Sequence, residues 1–328
     1  MSHRTAKGLL LGRGIRLRAT APRDGLGPVS VRLATPTVDE LPRVLSALGA
    51  WQDDGVSVQL HPGDLGWFGR AGAAQTAAAL RTWSRGGELV AVGLLDGGRL
   101  VRWTVAPSAR TDEALADEVL ADLAAPERGV LAEGEAAIEA PPGTLLHDRL
   151  LEAGWAPGEA WTPLRRDLAR PVEAPGMRIQ VVGSGGVAGV EGVAGATEVA
   201  GYTAVHRSAF ASPRLTPEAW GVMAAGPAFR AARSLLACDD AGVPVAEVTV
   251  WSAGPGRPGL LEPMGVHAGH LGRGYGRAIC LAAAAALRDL GSSSALVCTP
   301  SANVAAVATY RAAGYAALPE RLDRTRGE

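Results

Sequence analysis

Lysine is almost missing from this chain of 328 residues: Lys7 stands alone among 32 basic residues, and the rest are arginine. A Walker A loop closes on a phosphate-holding lysine, and pyridoxal enzymes need one for the Schiff base. Lys7 follows no glycine-rich loop, so both classes are disfavoured, and the Arg and Ala bias reads as genome composition. Cysteine is scarce too. Cys238, Cys280 and Cys298 are odd in number, far apart and without a Cys-x-x-Cys pair. That pattern excludes a disulfide framework or zinc site and suits free thiols in a reducing cytoplasm. No run is apolar enough to span a bilayer; Ala278 to Leu287 covers about half a span. The net charge of -1 is unlike that of a basic nucleic-acid-binding domain. Residues 1–28 carry Arg4, Lys7, Arg13, Arg16, Arg18 and Arg23 around only Leu9-Leu-Leu11, too short for a signal-peptide core, and read as a basic leader or mobile arm.

What remains is an ordinary globular composition, 47% hydrophobic and 20% charged, long enough for two domains. Val29 to Thr35 alternates like a strand, and Asp39 to Leu48 has helical spacing. His61 to Trp67 reads as a loop and Ala74 to Trp83 as a helix. Leu89 to Leu95 and Arg99 to Val105 form a hairpin over Asp96-Gly-Gly98. A helix over 111–123, a strand over 135–139 and a helix over 144–153 follow. Residues 170–176 have linker composition, and then the order starts again. The second copy has a strand at 177–182, a weak helix at 193–210, and a helix opened by Thr216-Pro-Glu218. Paired strands at 234–238 and 243–251 come next, then a strand at 260–266, a helix at 276–290, a strand at 295–299 and a helix at 303–313. Leu150-Leu-Glu-Ala-Gly-Trp155 echoes Tyr310-Arg-Ala-Ala-Gly-Tyr315, and Val105-Ala-Pro107 echoes Val266-His-Ala268. Matching order together with matching motifs makes duplication of one α+β unit the better reading.

The chemistry concentrates after the strand at 260–266. Leu271-Gly-Arg-Gly274-Tyr-Gly276-Arg277 leads from that strand into a helix. Its glycines permit positive φ and expose successive backbone N–H groups, a nest suited to a pyrophosphate. It departs from the dinucleotide fingerprint, because Arg277 stands where the third glycine belongs.

The segment resembles motif A of the GNAT superfamily of N-acetyltransferases, Arg/Gln-x-x-Gly-x-Gly/Ala, with Leu271 in place of the usual Arg or Gln. Asn303 through Ala306 and Tyr310 to Gly314-Tyr315 matches that family's closing helix. His206-Arg-Ser-Ala-Phe210, Arg214-x-Thr216, Trp251 and Glu262-Pro263 resemble a subgroup of it. The resemblance covers about residues 177 to 322, and the tandem layout is similar to that of mycothiol synthases. It implies an α+β fold with a mixed central sheet flanked by helices, built as two tandem GNAT-like domains: a degenerate one over 29–169 and a catalytic one over 177–328, joined by the linker 170–176.

The same resemblance implies acetyl-CoA as co-substrate, with no metal, and a small-molecule or peptide amine as acceptor. The protein would be a cytoplasmic N-acyltransferase without nucleic-acid or membrane partners, its oligomeric state open. Cofactor contacts fall on Met264, Val266, Leu271, Gly272, Arg273, Gly274, Tyr275, Gly276, Arg277 and Asn303. The backbone near Val266 would polarise the thioester carbonyl. Glu262 is the candidate base, or else an exposed strand carboxylate; Tyr310 is the candidate acid, or else a packing residue. His267 and His270 lack a third metal ligand. Phe210, Trp220 and Trp251 are candidates for either an acceptor pocket or the core. A non-catalytic acyl-CoA-binding or regulatory protein is the competing class.

Overall fold

The computed structural model describes residues 30–183 and 193–327. The basic segment 1–28 lies outside the described residues. The first half runs β1 (Arg32–Ala34), α1 (Leu41–Ala50), α2 (Pro62–Phe68), α3 (Ala73–Ala79), β2 (Leu80–Arg85), β3 (Glu88–Leu95), β4 (Leu100–Val105), α4 (Glu113–Ala124), β5 (Ala136–Glu139), α5 (Leu145–Glu152) and β6 (Ala156–Asp167). The second runs β7 (Arg178–Val181), α6 (Val193–Ala209), α7 (Pro217–Ala225), β8 (Ala232–Cys238), β9 (Pro244–Trp251), β10 (Gly259–Val266), α8 (Tyr275–Asp289), β11 (Ser294–Pro300), α9 (Val304–Ala312), β12 (Ala316–Ala317) and β13 (Arg321–Arg326). The two lists follow one order of elements, apart from a third helix before β2 in the first half and the short β12 in the second, as expected of a diverged duplication.

All thirteen described strands join one mixed sheet. Its order is β1-β2-β3-β4-β5-β13-β6-β11-β10-β9-β8-β7, with β12 attached to β6. The middle of that order contains an exchange. Strand β6, the last of the first half, pairs through its C-terminal part with β11 of the second half, Asp167 opposite Ser294 and Trp161 opposite Pro300. Strand β13, the last of the second half, pairs with β5 of the first and also with β6. Each half therefore completes its sheet with the other's final strand, and the boundary between 169 and 177 in the chain is not a boundary in space.

Helices cover both faces. Helix α8 lays Ile279, Leu281 and Leu287 under β8–β11, each fully buried and each worth about 1.5–3 kcal/mol. Its alanines at 282–284 let the helix sit close to the strands. On the opposite face α6 and α7 bring Tyr202, Trp220 and Met223 against Trp251 and Leu260. The first half has its own core around Trp83, Val92, Ile138 and Leu150.

Two local expectations are corrected. The segment 61–67 is not a loop but the helix α2. His61 caps it: its ring Nδ1 accepts from Gly63 N–H at 2.9 Å, while Asp64 accepts from His61 N–H at 2.6 Å. Pro62 fills the first position, where no N–H is needed. Its two glycines, which argue against a helix, are demanded by tertiary packing. A Cβ on Gly63 would lie 2.6 Å from Trp251, and one on Gly66 would lie 2.2 Å from its ring. The segment 74–83 is not one helix either. Helix α3 stops at Ala79 and Leu80 turns extended, because Leu80–Arg85 is a strand held between β1 and β3 with Trp83 fully buried.

Candidate active site

Gly272 and Gly274 both have positive φ, +74° and +85°, and Gly274 caps α8. Of the backbone N–H groups from Leu271 to Arg277, none donates to another described residue; Ala278 N–H is the first, to Gly274 O at 3.1 Å. A Cβ on Gly272 or Gly274 would meet nothing within 4 Å. The turn thus presents a row of free donors over open space at the positive end of a fifteen-residue helix. Gly276 serves packing instead, since its Cβ would lie 2.8 Å from Thr309 of α9. Leu271 and Arg273 are exposed beside the turn. Tyr275 packs its ring toward His270. Arg277 is turned away, donating to Ala312 O at 2.9 Å and facing Glu173 at 3.7 Å.

The equivalent turn of the first half is closed. Asp112 caps α4, its carboxylate accepting from Leu115 N–H at 2.9 Å and pairing with Arg85. The protein's own anion fills that helix end.

Strand β10 parts from β11 beside the open turn. Their parallel pairing is confined to Gly259 and Leu260, after which the strands diverge. On its other edge β10 stays paired to β9 through Val266, and His267 N–H donates to Val245 O at 2.9 Å. Alternation along an antiparallel pair then turns the N–H and C=O of Val266 away from β9, into the splay. Met264, two residues earlier, has the same orientation.

Glu262 lies on this strand and lines a cavity of about 220 Å³. The cavity is built by both halves. Gln59, Asp64, Arg102 and Glu139 come from the first, Leu260, Glu262, Cys298 and Arg321 from the second, with Trp161 of the exchanged strand β6. Its floor is an ion network: Arg102 meets Asp64 at 2.8 Å and Glu139 at 3.2 Å, and Arg321 meets Glu139 at 2.8 Å. Burial opposes ionisation of Glu139, but Arg102 and Arg321 outweigh it and hold the carboxyl at about 2. Glu262 has no such partner. Burial, with Asp64 and Glu139 adding repulsion against the pull of Arg102 and Arg70, pushes it up to about 7. A carboxylate so placed exchanges a proton near neutrality, as a general base must.

Tyr310 is buried on α9, its ring 6.0 Å from that of Tyr315, and its hydroxyl bonds to no other described residue. Burial, with the acids nearby, keeps the phenol protonated well above its ordinary range. Asn303 caps α9, its Oδ1 accepting from Ala306 N–H at 3.2 Å. Trp251 and Trp220 belong to the core; Trp251 also donates to Glu262 O at 2.6 Å, bracing the strand. Phe210 is exposed and lies against His206, 4.5 Å between ring centres. His267 and His270 contact each other edge to face, and His267 Nδ1 accepts from Gly269 N–H. The residues that sequence reasoning missed are Asp64, Arg102, Glu139, Trp161 and Arg321. They come from separate elements, and no spacing along the chain links them.

A strand splayed from its parallel neighbour, followed by an open glycine turn into a helix, and the whole arrangement laid out twice in one sheet, defines a tandem GNAT fold. Residues 204–315 match the model of the acetyltransferase (GNAT) family. The chain is similar in structure to a GCN5-related N-acetyltransferase from Sphaerobacter thermophilus, with 19% identity, TM-score 0.53, 90% of this chain and 95% of that one. It is similar to a tandem GNAT protein from the clavulanic acid biosynthesis pathway, with 17% identity, TM-score 0.55, and 90% and 98% covered. A GNAT-family acetyltransferase from Colwellia psychrerythraea gives 14% identity, TM-score 0.57, and 91% and 100% covered. At these identities the likeness is one of fold. No curated protein matches the sequence.

Proposed function

We propose that the protein is an acetyl-CoA-dependent N-acetyltransferase whose single reaction centre lies in the second half, with the first half walling the acceptor side. The observation that carries this reading is Glu262: an unpaired carboxylate, titrating near neutrality, on the strand that splays beside an open row of backbone donors. Acetyl-CoA fits these residues. Its pyrophosphate would take the free N–H groups between Leu271 and Arg277, where glycines keep the approach clear. Its pantetheine would run along the unpaired edge at Met264 and Val266.

The chemistry then needs three proton movements. The acceptor reaches the cavity as an ammonium and gives one proton to Glu262, leaving a neutral amine that attacks the thioester carbonyl. The N–H of Val266 stabilises the oxyanion as it forms. The C–S bond breaks, the nitrogen gives its remaining extra proton to water, since Glu262 already holds the first, and the thiolate takes a proton from Tyr310, which regains one from solvent. A phenol kept protonated by burial is suited to that donation.

The competing reading, a non-catalytic acyl-CoA binder, draws on Leu271, an exposed aliphatic where the family pattern has a polar side chain. Incubation with acetyl-CoA and a panel of amines separates the two. A transferase releases CoA in step with acetylated amine. A binder retains acetyl-CoA and releases none, and that result would sink the proposal.

A further inference from the structure

The cavity at Glu262 adjoins a second, larger one. Asp96, Leu100 and Trp161 line both it and a larger open groove of about 850 Å³. This groove runs past the β3–β4 hairpin and the exchanged strands β6 and β13. Its charges do not balance. Arg99 is paired to Glu135 at 2.7 Å. The guanidinium of Arg326 is held by the carbonyls of Leu123, Ala132 and Gly134. Asp96, Glu159 and Asp323 have no ion-pair partner among the described residues. In the adjoining cavity the two arginines and the acids Asp64 and Glu139 neutralise one another, which leaves Glu262 as further surplus.

Asp323 is the informative member. It is only 8% exposed, yet one carboxylate oxygen accepts a single bond, from Trp161 Nε1 at 3.1 Å, and the other has no partner at all. A buried carboxylate left half-satisfied costs stability unless something else supplies the missing charge. Arg321, close by in sequence, is committed to Glu139. Burial, with Glu139 and Glu159 adding repulsion against the pull of Arg321 and the Trp161 bond, raises Asp323 to about 6.

We propose that this groove binds a second cationic group of the acceptor, so that the acceptor is a small di- or polyamine; the inference rests on the transferase reading above. The reacting nitrogen enters the cavity and loses its proton to Glu262. Another nitrogen stays protonated in the groove, opposite Asp323, Glu159 and Asp96. An acceptor with an anionic group would be repelled by the same carboxylates.

The test compares acetyl transfer to spermidine, putrescine and butylamine. The diamine and polyamine should have kcat/KM at least about tenfold above the monoamine, since one well-placed charge pair is typically worth that factor. Asp323→Asn should cut this ratio about tenfold. Asp96→Asn and Glu159→Gln, both at exposed positions, should lower it as well and keep the test open if the buried variant fails to fold. Equal use of butylamine and putrescine, preference for a neutral peptide's amino terminus, or a ratio unmoved by all three variants would overturn the proposal. If no amine is acetylated, the transferase reading fails and calorimetry decides the groove by itself: spermidine binding that weakens in Asp96→Asn and Glu159→Gln supports it, and no binding removes it.

Discussion

Replacing Glu262 by Gln tests the centre most directly, because it should move activity and stability in opposite directions. The carboxyl is raised from an ordinary 4.5 to about 7 by burial and two neighbouring acids. A difference of that size corresponds to about 3 kcal/mol between the protonation states, at roughly 1.4 kcal/mol per unit. Between pH 4.5 and 7 the folded chain holds a proton that the unfolded chain has released. Stability therefore falls as pH rises through this window. The amide cannot ionise, so Glu262→Gln should match the wild type near pH 4 and exceed it by up to about 3 kcal/mol at pH 8 in chemical denaturation. Catalysis should do the reverse. Wild-type kcat/KM, followed by release of free CoA, should drop about tenfold per unit below pH 7, where the base is protonated. The variant should lose about 10²–10⁴-fold at pH 8 and lose that limb of the profile. Near-normal turnover at pH 8 with the limb intact would show that Glu262 does no chemistry. Unchanged stability at pH 8 would show that its ionisation is not suppressed by the fold.

The remaining expectations follow from the cradle, the acid and the seam. Gly274→Glu, which puts a side chain and a negative charge at the open helix end, should weaken acetyl-CoA binding at least tenfold by calorimetry while circular dichroism is unchanged; full affinity would refute the register of the turn. Tyr310→Phe should lower kcat by about 10²–10⁴-fold with acetyl-CoA affinity preserved, since only a hydroxyl is lost; if kcat is retained, the ring merely packs. Gly66→Ala sets a Cβ 2.2 Å from the Trp251 ring and should cost about 1–3 kcal/mol in thermal denaturation; a neutral result would mean that α2 is not pressed against β9 in solution.

The two halves differ at two equivalent helix ends, and the proposed division of work between them rests on that difference. Where the second half has Gly274 and a row of free donors, the first has Asp112 bonded to Leu115 and paired with Arg85. A carboxylate already there satisfies the donors and repels pyrophosphate. What the first half retains is its share of the cavity, through Asp64, Arg102 and Glu139. Removing Arg102 would leave buried Asp64 without its cation and Glu139 with Arg321 alone, a loss of the kind that costs several kcal/mol.

The sequence by itself determined the repeat, the strand–glycine turn–helix and the helix with Tyr310, because each is local. Hydrophobic period, turn chemistry and capping act within a few residues: Gly272 and Gly274 take positive φ and Thr216 caps its helix, as their types suggest. It failed where a distant contact overrode local preference. Gly63 and Gly66 sit in a helix because Trp251, far along the chain, needs their missing side chains. Leu80 to Arg85 is a strand because β1 and β3 lie on either side of it. Only the tertiary structure decided that β6 and β13 change places. That exchange carries Trp161, Arg321 and Asp323 to the seam between the halves, beside Asp64, Arg102 and Glu139. Which charges surround Glu262, and so whether it can take a proton at neutral pH, depends on distances across that seam, and these are set by strand pairing rather than by position in the chain.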